Sequence, residues 1–328
     1  MRTGIQHIAL LQNQRKKEQV LQVLAATIRE TIERKSIDFM YLQEIRLRIQ
    51  QPLVMIYKGK EYLPLLLNTS RHIVSKEEVQ ETLEYISNYS LYAYEYEMCQ
   101  GYITIEGGHR VGLTGKTIME DKKVKNLKYI SSINIRVSHE IIGCGESIIP
   151  YITVNKQICH TLIISPPRCG KTTLLRDLIR IISNGNEWIN SGSVGVVDER
   201  SEIGGCYLGI PQNQLGMRTD ILDCCPKVEG MLMLIRSMSP QVIAVDEIGS
   251  AQDVHAIEYA MLCGCKMLAT IHGESMEEIR KKPIFEQLIK ERRFERYVVL
   301  SHQKQVGEIE GIYDERGSKL CSSLWEVS

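Results

Sequence analysis

The residues best suited to chemistry are Gly170-Lys171-Thr172-Thr173 and the run before them, Ser165-Pro166-Pro167-Arg168-Cys169. Glycine, lysine and hydroxyl in succession match the needs of a phosphate chain. Backbone N–H groups wrap a β-phosphate at the positive end of a helix, the lysine reaches the β- and γ-phosphates, and the hydroxyl holds Mg²⁺. Ser165 through Thr173 are therefore the candidate ATP-binding loop. The pattern G-x-x-x-x-G-K-[ST] is met except at its first glycine, where Ser165 stands. A Cβ there narrows the φ/ψ open to a sharp turn off a strand.

Three acidic, basic or hydroxyl clusters follow. Asp246-Glu247 closes the apolar run Val242-Ile243-Ala244-Val245. Two carboxylates at the tip of a buried strand suit Mg²⁺-assisted hydrolysis, with Asp246 on the metal's shell and Glu247 polarising the attacking water. Asp198-Glu199-Arg200-Ser201-Glu202 closes a valine-rich run and can bring Asp198 and Glu199 to the same Mg²⁺. Thr270 and His272 close a third run, where a hydroxyl or imidazole can sense a γ-phosphate, although a lone histidine more often serves structure.

The elements that must hold these residues are legible in the hydrophobic pattern. A strand is predicted over 159–164 and a helix over 172–182, with Leu174, Leu175, Leu178, Ile179 and Ile182 at helical spacing. Strands over 194–197, 241–245 and 266–269 alternate with helices over 227–238 and 253–263. That alternation implies a parallel sheet with ligands at the carboxyl ends of its strands, where the clusters fall. A helix over 276–291 and strands over 297–301 and 308–313 complete this part. The first part is mixed α+β. It has helices over 14–33, 75–88 and 90–99, an alternating strand over 44–49, hairpins turning at Lys58-Gly59 and Gly107-Gly108, and a strand over 129–138. Gly143, Gly145 and Pro150 break the pattern and suggest domains 1–145 and 146–328.

Composition sets limits. The 328 residues, 43% hydrophobic and 24% charged, fit a globular chain of two domains. Lys plus Arg equals Asp plus Glu at 40 each, so no global field draws the chain to nucleic acid or membrane. No nucleic acid partner is expected. No apolar run approaches the about 18 residues of a membrane span, and Arg15-Lys16-Lys17 after the short apolar 8–11 is the reverse of a signal peptide. The ten cysteines lack zinc spacing and are expected to be reduced thiols, with Cys159 and Cys263 in core segments.

The run Ile235-Arg236-Ser237-Met238-Ser239-Pro240-Gln241-Val242-Ile243-Ala244-Val245-Asp246-Glu247-Ile248-Gly249 resembles the Walker-B region of the type II/type IV secretion ATPases, within the additional-strand P-loop group. Residues 264–273 resemble that family's histidine box and 196–202 its aspartate box. Residues 166–173, 197–203 and 217–222, with the hairpin Gly107-Gly108-His109-Arg110-Val111-Gly112, are more similar still to a sporulation family of these ATPases, over nearly the whole chain. That family usually has glycine where Ser165 stands, which bears on nucleotide affinity.

The resemblance implies an α/β P-loop NTPase, RecA-like and of the additional-strand type, with an N-terminal α+β domain. It implies a Mg²⁺-dependent ATPase working as a homo-oligomer, a hexameric ring. The location would be cytoplasmic and peripheral, at the mother-cell face of the forespore membrane, without insertion into it. The partners would be membrane proteins of the channel complex between mother cell and forespore. In the secretion ATPases the N-terminal domain contributes arginines that close over the nucleotide, and the matching residues are Arg110 and Arg136. Arg218 and Arg236 are the candidates within the P-loop domain itself. Two other functions remain open on the sequence, a P-loop protein acting on nucleic acid and a nucleotide-gated scaffold with little turnover.

Overall fold

Apolar and charged residues alternate over Leu42–Arg48 and produce a strand with Leu42, Ile45 and Leu47 buried. Leu42 and Ile45 share a face although three apart, because the pairing with Val54–Tyr57 slips by one residue between Leu42 and Glu44. The structure is a computed structural model that describes residues 2–66, 70–90, 94–301 and 307–324. The chain divides into two compact units, Met1–His139 and Glu140–Ser328.

The first unit is built on an antiparallel six-stranded sheet in the order Lys60–Tyr62, Val54–Tyr57, Leu42–Arg48, Lys123–Arg136, His109–Glu120, Tyr102–Ile105. Lys58 and Gly59, both at positive φ, make the first hairpin turn. Helix Lys76–Ile86 opens with a complete capping box, Ser75 with Glu78. The helix expected over 14–33 is two, Arg2–Leu21 and Ala26–Glu33. Tertiary partners impose the break: Thr82 Oγ1 and Glu81 Oε1 accept the N–H groups of Ala25 and Ala26, while Val20, Val23, Leu24, Ile28 and Ile32 all reach the core. Of the helix expected over 90–99, only Glu95–Cys99 is helical, and residues 91–93 lie outside the described residues. The hairpin of His109–Glu120 with Lys123–Arg136 runs well past the predicted strands.

His109 gives this unit a pH dependence. Its Nδ1 accepts the Ser138 N–H at 3.0 Å, and burial, with the Lys16 and His139 charges beside it, pushes its pKa down to about 3. The folded chain thus binds fewer protons than the unfolded chain, whose value is 6.5. Stability is full above pH 6.5 and falls as pH drops towards 3, by about 2 kcal/mol at pH 5. Melting curves at pH 7.5 and 5 should show this loss, and His109→Gln should shrink it. An unchanged pH dependence in that variant would show that other groups carry it.

The second unit holds an eight-stranded sheet in the order Thr219–Asp223, Val194–Asp198, Val242–Val245, Lys266–His272, Thr161–Ser165, Arg296–Leu300, Ile309–Asp314, Lys319–Leu324. The first six strands are parallel and the last two pairings antiparallel. Each central strand is buried on both faces. Ile163, Val196, Ala244 and Leu268 join helix Lys171–Asn184 in one core, while Leu162, Ile164, Ile243 and Ala269 join the helices Lys227–Ser237 and Ala251–Leu262 in the other. The single helix expected over 276–291 is two, Met276–Arg280 and Pro283–Lys290, because proline starts a helix but cannot continue one. Thr219–Asp223 is an edge strand over residues to which the sequence pattern assigns no element, and they are half-buried. Cys263 is exposed; the neighbouring core thiol is Cys265.

Candidate active site

Strand Thr161–Ser165 is wholly buried and delivers the chain to the loop 166–170. Two left-handed residues shape that loop, Arg168 at φ 64 and Gly170 at φ 88. Gly170 is the N-cap of Lys171–Asn184, and no side chain caps that helix. The N–H groups of its first turn are therefore free to face an anion. Ser165 is fully buried and outside the left-handed region; its Oγ donates to Pro166 O at 2.8 Å. The loop's strain sits at Arg168, not where the usual glycine is replaced. Cys169 is buried, with its carbonyl accepting the Gly307 N–H. Ser165→Gly should accordingly leave ATP affinity within about threefold and cost about 0.5–1 kcal/mol of stability from added backbone freedom. A tenfold tightening in a binding titration would contradict this account of the serine.

Opposite the helix start lie the strand-end acids. Lys171 Nζ is 3.1 Å from Asp246 Oδ1 and 3.8 Å from Glu247 Oε2. Thr172 Oγ1 donates to Asp246 Oδ2 at 3.0 Å, and Thr270 Oγ1 donates to Asp246 Oδ1 at 2.5 Å. Burial alone would raise the Asp246 carboxyl, but the Lys171 ammonium and the donors Thr270, Lys171 and Thr172 outweigh it and hold the group below its ordinary value. Glu247 has φ 42, an uncommon turn for a non-glycine residue, and its N–H bonds to Asp246 Oδ1 and Thr270 Oγ1 keep it there. His272 Nε2 lies 3.3 Å from Glu247 Oε2, and its Nδ1 lies 3.4 Å from Ser165 O. Strand Lys266–His272 runs between the strands that carry Ser165 and Asp246, so it brings Thr270 to one and His272 to the other.

Asp198 and Glu199 stand apart from this cluster. Asp198 is buried and accepts the N–H groups of Glu202, Ile203 and Gly204 at 2.8–2.9 Å. Burial still pushes its pKa up to about 6 against the donors from Gly204 and Glu202. Glu199 pairs with Lys227. Both line a cleft of 510 Å³ shared with Asp246, Glu247, Glu202 and Asp253. Of the arginines in this unit, Arg218 donates to Ser183 O at 3.1 Å and Arg236 is exposed at the end of its helix.

Sheet register in the first unit sets Arg110 opposite Arg136, with Glu44 opposite Arg136 on the other side. Arg136 Nε is 3.7 Å from Glu44 Oε1, and the Arg110 guanidinium lies over the Tyr102 ring at 3.6 Å. Like charges directly opposite on a ladder are unfavourable, and the Glu44 carboxylate beside Arg136 offsets this pair. The same sheet holds a 450 Å³ hollow whose lining includes Arg46, Arg48, Arg136, Ser132, Thr114 and Gly112.

Residues 14–320 match the family model described as "Sporulation stage III, protein AA". The chain belongs to that family. Stage III sporulation protein AA of Bacillus subtilis (strain 168) is 45% identical over 279 residues, which are 85% of this chain and 89% of that protein. Among solved structures, the fold is similar to the Legionella pneumophila ATPase DotB, with TM-score 0.53 and 14% identity, over 79% of this chain and 72% of that one. It is also similar to the pilus retraction motor PilT, solved with bound ADP, with TM-score 0.55 and 13% identity, over 83% and 76% of the two chains. This member of the sporulation stage III protein AA family thus has the α/β fold of the P-loop secretion ATPases. The strand Lys266–His272, between the P-loop strand and the strand bearing Asp246, is the added strand that its type requires. Among the described residues no helix is long and apolar enough to cross a membrane.

Proposed function

We propose that this protein binds and hydrolyses ATP with Mg²⁺, as a ring that energises or assembles the sporulation channel between mother cell and forespore. The observation that supports it most is the convergence of Lys171, Thr172, Asp246, Glu247 and His272 at the uncapped start of one helix. The residues present fit the nucleotide. The free N–H groups and Lys171 suit its phosphates, and Thr172 and Asp246 are an oxygen pair, 3.0 Å apart, for Mg²⁺. Mg²⁺ supplies neutralisation of the phosphate oxygens as charge shifts towards the leaving group. Residues 165–173 hold the phosphate chain in place. Glu247 takes the proton of the attacking water, oriented by His272 and by the two hydrogen bonds on its own N–H. Asp198, which already accepts three N–H groups, and Glu199, which pairs with Lys227, serve the metal through the cleft they share with Asp246.

Phosphoryl transfer needs a further cation against the transition-state charge. We assign it to Arg110 or Arg136, which stand opposite each other on the sheet of the first unit, delivered by a neighbouring subunit of the ring. The ring, the peripheral cytoplasmic placement and the membrane-protein partners rest on the family and on the secretion ATPase fold. Arg110→Ala and Arg136→Ala should each keep ATP binding, and at least one should lose turnover by about 10³-fold, the low end for an arginine finger. An excess of Lys171→Ala subunits, intact in their arginines, should restore part of it. Full activity in both variants would exclude these arginines and leave Arg218 as the next candidate.

A further inference from the structure

Helix Lys171–Asn184 carries a second basic residue on the face of Thr172. Arg176 is four residues on, one turn along the same side. Its Nε and Nη1 are buried and have no hydrogen-bond partner among the described residues. A buried guanidinium without acceptors is costly, because its donors have lost water and gained nothing in return. Packing alone does not call for this residue, since an aliphatic side chain would fill the space without that penalty.

What surrounds it is acid. The charges of Glu140, Asp198, Asp246 and Glu202 all reach Arg176, although burial lowers the group's affinity for its proton. These acids come from three places: the start of the second unit, the turn after Val194–Asp198, and the end of Val242–Val245. Three of them spend their hydrogen bonds elsewhere. Asp198 accepts three backbone N–H groups, Asp246 is taken by Lys171, Thr172 and Thr270, and Glu140 Oε1 accepts the Gln214 N–H. Arg176 is thus a positive charge that these acids feel, with its Nε and Nη1 donors unspent.

We propose that Arg176 is a positioning residue for hydrolysis, holding Asp246 and the Asp198–Glu202 turn at the spacing that a Mg²⁺-bound nucleotide requires. The inference rests on the ATPase reading. In that reading Lys171 serves the phosphates and Thr172 the metal, so both cease to restrain Asp246. Arg176 lies one helical turn beyond Thr172. It remains as the cation that compensates the acids, and its vacant donors are available to whichever carboxylate turns towards it. Metal affinity is sensitive to such supporting groups, whose removal typically costs about 10–100-fold in affinity or activity.

The test is a Mg²⁺ titration of phosphate release, alongside ATP binding measured without metal, for the full-length wild type, Arg176→Gln and Arg176→Lys. Arg176→Gln should bind ATP without Mg²⁺ within about threefold of wild type. It should need about tenfold more Mg²⁺ for half-maximal turnover, with kcat reduced about tenfold or more. Arg176→Lys, which keeps the charge but not the planar fork, should recover part of both. A purely structural arginine would lower the melting temperature and leave the Mg²⁺ requirement unmoved, and that result overturns the proposal. If Arg176→Gln does not fold, Arg176→Lys decides: a wild-type Mg²⁺ requirement and kcat in that variant overturn it. Failure of the wild type to bind ATP is a different outcome, which removes the ATPase reading and this inference with it.

Discussion

Lys171→Ala should weaken ATP binding by at least about 100-fold. A hydrogen bond from a charged donor to phosphate is worth about 1.5–3 kcal/mol, and a P-loop lysine supplies bonds to two phosphate groups. The lysine is nearly buried, 9% exposed at its side chain, so water cannot replace it cheaply. The substitution has a second effect. Asp246 owes its depressed pKa first to Lys171 among the groups that oppose its burial. A carboxyl whose folded pKa lies below its unfolded 3.8 adds stability above that pH and loses it as pH falls through the folded value. Without Lys171 that contribution shrinks, so the variant should melt earlier at neutral pH. A binding titration at a temperature where both proteins are folded separates the effects. Unchanged affinity would remove the phosphate site from this loop.

Glu247→Gln should keep ATP binding and lose about 10²–10⁴-fold in turnover, the usual contribution of a positioned general base. The amide has nearly the shape of the carboxylate but cannot take a proton from water. Glu247 also has a left-handed backbone, at φ 42. That turn points a half-exposed carboxylate at His272 while leaving Asp246 against Thr172. Asp246→Asn should differ in kind, raising the Mg²⁺ requirement rather than removing the base. Loss of thermal stability with normal turnover in both variants would reduce this strand end to a structural feature.

Much of this site was legible in the sequence for a physical reason. Parallel strands buried on both faces, such as Thr161–Ser165 and Val242–Val245, read as short apolar runs, and the polar residues that end them stand out. The capping box at Ser75 marks a helix start just as locally, whereas the helix expected from 253 starts at Ala251, after Ser250. What could not be read depends on partners distant in sequence. Thr219–Asp223 is an edge strand of half-buried residues and carries no alternation strong enough to stand out. The lysine-rich ribbon between Gly115 and Lys128 looks like loop until Lys116 is seen opposite Lys128. The place of Asp198 at a strand end suggests a metal residue, but its three backbone donors depend on the folding back of 202–204, which no motif records. Arg176 was hidden among the leucines of a helix; the four-residue step from Thr172 was the one available signal.

The most direct measurement is ATP binding and phosphate release by the wild-type protein in one Mg²⁺ titration, with Glu247→Gln alongside. The account predicts saturable ATP binding by both proteins and Mg²⁺-dependent phosphate release by the wild type alone. Absence of saturable binding, or equal phosphate release by the two proteins, would contradict it.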